Sequence, residues 1–353
     1  MMSGLKILMT GGGAPQAPTL IRHLKENGEV KVHIVAMDMN GEASGRFLAD
    51  TFYKIPSAGS EGYRETIMDI VEKETPDAFL NVSGHDVPYI ARMKQEIESL
   101  GTKVLASDPD AIEIANNKFL LFTTLQDVQG VKVPEFKSPN SLDEFIRMAS
   151  EMGYPDRDLC FKPHISKGSR GFRILSEKQD RRDLLLNHKP TAVYITLEEF
   201  KNIFQDAPQF PKLLLMEVAR GEECDLMTIA YKGEALLTTV KSRESHRWGV
   251  IDQGELIDRP ELVESAAQVI KHIPLSYNIS IQYIGGKVIE INPRTSTFIY
   301  QKDLNEPWLA IKLALGMITP EEVRLYQRKI QYGRRMVRFM DQIFFNPDGS
   351  WSF

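Results

Sequence analysis

Residues 280–294 of this chain, Ser-Ile-Gln-Tyr-Ile-Gly-Gly-Lys-Val-Ile-Glu-Ile-Asn-Pro-Arg, carry polar groups where an apolar alternation would otherwise predict core. Gln282, Glu290 and Asn292 offer oxygen donors, and Arg294 follows two residues later with a fixed positive charge. Oxygen donors beside an arginine suit a hard cation and a phosphate held together, the arrangement that binds magnesium-ATP. Residues two apart on a strand share a face, so Glu290 and Asn292 point the same way. For Gln282 to join them across a hairpin, the paired positions must sum to an even number. That parity predicts an odd-length loop such as Ile284-Gly285-Gly286, with glycine in the left-handed region. The competing reading is a surface hairpin with a solvated polar face.

Further along the chain, residues 161–171 (Phe-Lys-Pro-His-Ile-Ser-Lys-Gly-Ser-Arg-Gly) place Lys162 at a strand end before a flexible loop. Backbone amides and the hydroxyl around Gly168, Ser169 and Gly171 can wrap phosphates while lysine supplies charge. The loop is not of the Gly-x4-Gly-Lys-Ser/Thr type, and a simple glycine-bearing hairpin is the alternative. Residues 213–225 run from an apolar strand through a connector that carries Glu217, Val218 and Glu223. An exposed backbone edge there could meet an adenine, with Glu217 accepting from its amino group and Glu223 from ribose hydroxyls. An acidic turn is the plain alternative.

The elements that must position these groups follow from pattern. The first third alternates strands and helices with glycine-marked turns, which argues for a parallel, doubly wound sheet. From Lys118 the texture changes to helices and strands at 159–162 and 171–175, with strands at 213–218, 225–231, 235–241, 280–284 and 287–291 completing an antiparallel set. The expected class is α/β, turning to α+β in the second part. The expected division is 1–113, 114–212 and 213–353. Residues 177–211 match no motif. The turn at residues 10–16, with Asp38 downstream, invites a dinucleotide reading, but Gln16 stands where a third glycine is needed for close helix packing.

Composition is that of an ordinary soluble domain, with 42% hydrophobic and 26% charged residues. The net charge of −5 gives no basic footprint for nucleic acid. No run is long enough for a membrane helix, and Met1 leads straight into a strand-like segment, so a cytoplasmic protein is expected. The two cysteines, Cys160 and Cys224, are far apart and read as buried thiols.

Taken in order, Lys118, Lys162 with its glycine loop, Glu217 and Glu223, and Gln282…Glu290-x-Asn292-Pro-Arg294 resemble the ATP-grasp superfamily. More narrowly, the chain resembles one synthetase module of the carbamoyl-phosphate synthase large subunit and the stand-alone carboxylate–amine ligases built like it. The resemblance covers nearly the whole chain and implies a Rossmann-like pre-ATP-grasp domain followed by a two-lobed ATP-grasp domain. It implies that Lys118 and Lys162 contact ATP phosphates, that Gly168, Ser169 and Gly171 form a phosphate lid, and that Glu217–Val218 reads adenine while Glu223 binds ribose. Gln282, Glu290 and Asn292 would hold one or two Mg2+ ions, or Mn2+, and Arg294 would face the transferred phosphoryl group. The implied chemistry is ATP-dependent amide formation through an acyl phosphate, from a small carboxylate and an amine. Thr295 and Ser296 would face the acceptor.

Two departures stand out. The metal face has one carboxylate where many superfamily members have two, and the chain shows one module without a glutaminase-like segment. A bicarbonate- or carbamate-phosphorylating enzyme, and a nucleotide-binding regulator without ligase chemistry, are the competing functions. His85 in Ser83-Gly-His-Asp86, and the cluster Lys241, Arg243 and Arg247, are expected at an anionic substrate. Small-molecule substrates and a homodimer are expected; nucleic acid and membrane partners are not.

Overall fold

The computed structural model describes residues 4–166, 168–188, 193–247 and 249–353, the side chains of His246 and Arg247 apart. Among them, five parallel strands form the first sheet: β1 (Leu5–Met9), β2 (Val32–Asp38), β3 (Thr51–Lys54), β4 (Ala78–Leu80) and β5 (Lys103–Leu105). Their order, β3-β2-β1-β4-β5, is that of a doubly wound sheet. Alternation along β1 sends Ile7 and Met9 to one face and Leu8 to the other, and each face has its own apolar core. Helices Tyr63–Glu74 and Val87–Ser99 cover the Leu8 face with Ile67 and Ile90. On the opposite face, helix Ala17–Lys25 contributes Leu20, Ile21 and Leu24, an i, i+1, i+4 stripe.

A second sheet contains β6 (Phe136–Lys137), β7 (Leu159–Pro163), β8 (Arg173–Leu175), β9 (Tyr194–Ile195) and β10 (Leu213–Glu217). Its order is β6-β10-β7-β8-β9. Phe145 and Phe200 stack under it with ring centroids 4.0 Å apart, which fixes two flanking helices on one core. Strand β10, which the expected division puts with the last segment of the chain, pairs antiparallel with β7 and β6. Leu213 and Leu215 on one face fill the phenylalanine core, while Leu214 and Met216 face the core below the next sheet. Both faces of β10 are thus apolar, so its side-chain pattern suits either sheet and its partner is a tertiary choice.

The third sheet is antiparallel, with order β12-β11-β15-β16: β11 (Glu223–Tyr231), β12 (Glu234–Ser242), β15 (Tyr277–Ile284) and β16 (Lys287–Asn292). Helix Pro260–His272 packs on the face carrying Leu226, Val240 and Ile281. The other face is divided along its length. Ile229 and Leu237 join Trp308 and Leu309 of helix Glu306–Ala314 in the core that also contains Ile7 and Met9. This helix is therefore wedged between the first and third sheets. A small sheet of β13 (Ser245–Arg247), β14 (Val250–Glu255) and β17 (Arg335–Val337) adjoins the charged end. Among the described residues, no helix is long and apolar enough to cross a membrane.

Candidate active site

The β15–β16 hairpin brings Gln282 opposite Glu290 and Ser280 opposite Asn292, as the sequence parity requires. The means differ from the expected three-residue loop. Ile284 pairs with Lys287, so only Gly285 and Gly286 turn the chain, both with positive φ (55° and 76°). That is the backbone requirement of a tight two-residue hairpin. Continued without interruption, this register would pair Gln282 with Ile289 and turn Glu290 toward the buried face. A bulge at Ile289 shifts the register by one residue and restores Glu290 and Asn292 to the Gln282 face. The Ile289 carbonyl at this bulge lies 3.4 Å from Lys162 Nζ.

Two lysines meet at this point from different elements. Asn117 caps helix Lys118–Leu125 by accepting from the amides of Phe119 and Leu120, which fixes Lys118 at the helix start. Lys118 Nζ donates to the Ser166 carbonyl at 2.9 Å, and its backbone amide donates to the His164 carbonyl. Lys162 lies near the end of β7, with its ammonium 5.7 Å from the Phe122 ring centre. Burial, together with the neighbouring Lys118, lowers the Lys162 pKa to about 8 against the pull of Glu290. Burial pushes the Glu290 carboxyl up, but Lys118, Lys162, the Asn292 amide and Arg243 outweigh it and keep the group ionised. Asn292 Nδ2 donates to Glu290 at 3.1 Å.

Beside these groups, Gln282 Nε2 donates to Glu223 at 2.6 Å, and Arg243 pairs with the same carboxylate at 2.7 Å. Asp225, a residue that sequence reading did not single out, lies two positions along the same face. It accepts from Ser280 Oγ at 2.6 Å and lies 3.6 Å from Lys241 Nζ. Glu223 and Asp225 at i and i+2 in an otherwise apolar strand were the available signal. Deeper still, Thr239 donates to Glu306 at 2.6 Å; burial raises the Glu306 carboxyl to about 7 although Lys241 lies near.

A cavity of about 430 Å³ joins Lys118, Lys162, Glu223, Gln282, Glu290, Asn292 and Arg294. Gly168 and Ser169 also line it, both with positive φ, and His85, Arg243 and Ser296 face it. Other expected residues lie elsewhere. Gly171 is packed so closely that a Cβ there would come 2.6 Å from Pro163 Cδ. Glu217 and Val218 are outside the cavity wall. The Glu217 carboxylate is held by Lys287, by Arg157 at 2.6 Å and by the Glu135 amide at 3.0 Å, while its own backbone N–H donates to Glu135. Lys241 is 1% exposed and points beneath the site. Thr295 is likewise interior, donating through its hydroxyl to Asn278 and through its amide to Asn81. The side chain of Arg247 lies outside the described residues.

The glycine turn of the first sheet has its own internal bracing. Asp38 accepts from the Gly13 amide at 2.8 Å and from the Asn40 amide at 2.9 Å, so its carboxylate secures the turn. Gln16 is buried, with its amide 3.4 Å from the Val82 and Thr295 carbonyls. Cys160 and Cys224 are buried and unpaired, and burial raises both thiols to about 12.

Two family models match. Residues 7–105 match one described as PylC-like, N-terminal domain, and residues 209–336 match one described as ATP-grasp in the biosynthetic pathway with Ter operon. The chain is 23% identical over 270 residues to the carbamoyl phosphate synthase large chain, C-terminal section, of Aquifex aeolicus, covering 71% of this chain and 46% of that protein. It is 21% identical over 340 residues to the arginine-specific mitochondrial large chain of Neurospora crassa, covering 90% of this chain and 27% of the relative. The chain thus spans less than half the length of these curated relatives.

Among solved structures, the biotin carboxylase domain dimer of Hydrogenobacter thermophilus 2-oxoglutarate carboxylase, in complex with MgADP, ADP and bicarbonate, aligns with a TM-score of 0.65 at 19% identity. That alignment covers 94% of this chain and 74% of the neighbour. N5-carboxyaminoimidazole synthetase of Staphylococcus aureus aligns with a TM-score of 0.63 at 15% identity, over 91% and 80% of the two chains. At such identities the likeness establishes the shared fold. The Glu290-x-Asn292-Pro-Arg294 strand end lies in the segment that matches the ATP-grasp model, and most of the first sheet lies in the segment that matches the PylC-like model.

Proposed function

We propose that this protein is an ATP-dependent carboxylate–amine ligase that works through an acyl phosphate. The observation that carries this reading is the convergence of Lys118, Lys162, Glu290, Asn292 and Arg294 on one cavity. Among the described residues Arg294 Nε is buried without a hydrogen-bond partner, which suits an anion at that point. Gln282, Glu290 and Asn292 present one carboxylate and two amides on one face. This fits Mg2+, which takes few protein ligands and completes its shell with phosphate oxygens and water. When bound there, Mg2+ would supply charge neutralisation at the phosphates.

The residues divide the remaining work. Lys118 and Lys162 neutralise phosphate charge, and the loop at Gly168 and Ser169 covers the nucleotide and excludes water. Glu223, anchored by Gln282 and Arg243, accepts from ribose hydroxyls. Of the pair Glu217–Val218 we retain the Val218 backbone at the adenine, because the carboxylate, backbone N–H and carbonyl of Glu217 are already occupied. A substrate carboxylate oxygen attacks the γ-phosphorus, the bond to the bridging oxygen breaks, and ADP leaves. An amine then attacks the acyl carbon, phosphate departs, and the nitrogen loses a proton. Arg294 stabilises the charge on the phosphoryl oxygens in both steps. His85, Arg243 and Ser296 are the proposed substrate contacts.

The division proposed at 1–113, 114–212 and 213–353 is amended by moving Leu213–Glu217 to the small lobe, on its pairing with β7. A homodimer and a cytoplasmic location belong to the same proposal. The dimer of the Hydrogenobacter thermophilus domain supports the first, and the unpaired cysteines support the second. Magnesium-dependent ADP release from ATP, with pooled amino acids against bicarbonate alone, tests the reaction. Stimulation by amino acids upholds the ligase, and stimulation by bicarbonate alone identifies a bicarbonate-phosphorylating enzyme. Nucleotide binding without stimulation by either overturns ligation and leaves a regulator.

A further inference from the structure

A second cavity of about 640 Å³ lies behind the first, between helix Ala17–Lys25 and the chain around β17. Gln16 and Thr297 line both cavities and form their common wall. Arg338 secures that wall, donating to the Pro15 carbonyl at 2.6 Å, the Ile251 carbonyl at 3.1 Å and Thr297 Oγ1 at 3.3 Å. The space is within the range of small-molecule sites.

Its lining is strongly unbalanced in charge, with five lysines and arginines against Glu26 and Asp341. Several of these cations are already committed: Lys25 pairs with Asp50, and Arg335 with Glu244 and Glu255. Arg22 differs. It is exposed on the last turn of its helix and, among the described residues, has no acidic partner. Among the described residues Arg334 uses only Nε, on the Tyr300 carbonyl at 2.6 Å, which leaves both terminal nitrogens of its guanidinium available there. In the same lining His23 stacks on Tyr300 with ring centroids 3.5 Å apart and planes 6° from parallel. Phe298 and Ile21 add apolar wall.

We infer that this second cavity binds the acceptor of the reaction, a small molecule with an apolar or aromatic body and one anionic group, a carboxylate or a phosphate. The inference rests on the ligase reading for the word acceptor. Arg22 and Arg334 hold the anionic end, since a guanidinium fork matches either group. The amine at the other end then lies against Gln16 and Thr297, the wall shared with the cavity that Arg294 lines. An amino acid whose carboxylate is recognised and spared has this form.

The test uses the full chain with saturating MgADP, so that the nucleotide cleft is filled, and repeats each measurement without nucleotide. Benzoate, phenyl phosphate and neutral phenol are titrated, with binding followed by calorimetry and melting temperature. At least one anionic probe should bind saturably and phenol should not; which anion prevails distinguishes a carboxylate from a phosphate acceptor. Arg22→Gln should weaken that probe tenfold or more, and Arg22→Lys should restore most of it. Arg334→Gln, on a separate element, should weaken it similarly. Absence of binding by either anion, equal binding of phenol, or unchanged affinity in both Gln variants overturns the inference. Failure of MgADP to raise the melting temperature of the wild-type chain counts instead against the ligase reading.

Discussion

The two ends of one sheet face make an instructive pair. At one end of β11, β12 and β15 lie Glu223, Asp225, Lys241, Arg243 and Gln282; at the other, Ile229 and Leu237 pack on Trp308. The strands are the same and the alternation is unbroken along β11 through Ile229, yet one end is a charged cleft and the other a core shared with the first sheet. Asp225 and Lys241 are nearly as inaccessible as Ile229, so burial alone does not separate the two ends. What separates them is the partner set. Each buried charge has an opposite charge or a hydroxyl within reach, whereas the apolar end needs only shape. Helix Glu306–Ala314 meets both ends. Glu306 closes the polar region through Thr239, and Trp308, two residues on, fills the apolar one.

Substitutions can pull the two ends apart. Trp308→Ala should cost about 3–5 kcal/mol in denaturant unfolding, because a 2%-exposed ring is lost from a core shared by two sheets. Loss of less than about 1 kcal/mol would mean that the apolar end does not join the sheets. At the charged end, Glu290→Gln should lower magnesium-dependent ADP release by about 10²–10³-fold, the scale of removing one electrostatic stabiliser. Its melting temperature should stay near that of the parent, and a large fall in stability with activity intact would reverse the assignment.

Gly285→Ala should destabilise by roughly 1–3 kcal/mol, since the φ is positive and a Cβ would meet the Arg220 carbonyl oxygen at 2.1 Å. Hydrogen exchange should localise the loosening to the β15–β16 hairpin and spare the Trp308 core. The mildest effect concerns pH. Phosphate beside Lys162 favours the ammonium, whose pKa in the free protein is about 8. MgADP affinity should therefore fall above pH 8, by up to about tenfold per unit. The contribution of Lys162 to fold stability runs the other way. Between about pH 8 and the ordinary lysine value the folded chain binds fewer protons than the unfolded one, so stability rises with pH. Calorimetry in buffers of different ionisation enthalpy should show proton uptake on binding, and its absence at pH 8.5 would contradict a Lys162–phosphate contact.

The contrast also explains what the sequence made legible. Glu290-x-Asn292-Pro-Arg294 was readable because a two-residue period fixes a shared face whatever the tertiary setting, and the parallel first sheet followed from strand–helix alternation. The phase of Gln282 was anticipated, but its cause was not. A tight Gly285-Gly286 turn with a bulge and a wider loop without one satisfy the same parity, and local pattern does not separate them. Asp225 stood two residues from Glu223 in plain view, yet its importance appears only once β12 lays Lys241 opposite it. Glu217 shows the limit from the other side. Its carboxylate is claimed by Arg157 and Lys287, one before it and one after it by 60 and 70 residues, a distance no motif spans.

The bulge at Ile289 has one more consequence, unrelated to catalysis. Strand β16 is the outer strand of its sheet, and a straight outer strand offers a row of amides and carbonyls to any other chain that passes. Here the row is broken. The Val288 amide is spent on the Lys132 carbonyl, the Ile289 carbonyl turns toward Lys162, and a charged Lys287 opens the strand. The irregularity that sets the phase of Glu290 and Asn292 also makes this margin a poor template for self-association, and so helps keep crowded copies of the protein in solution.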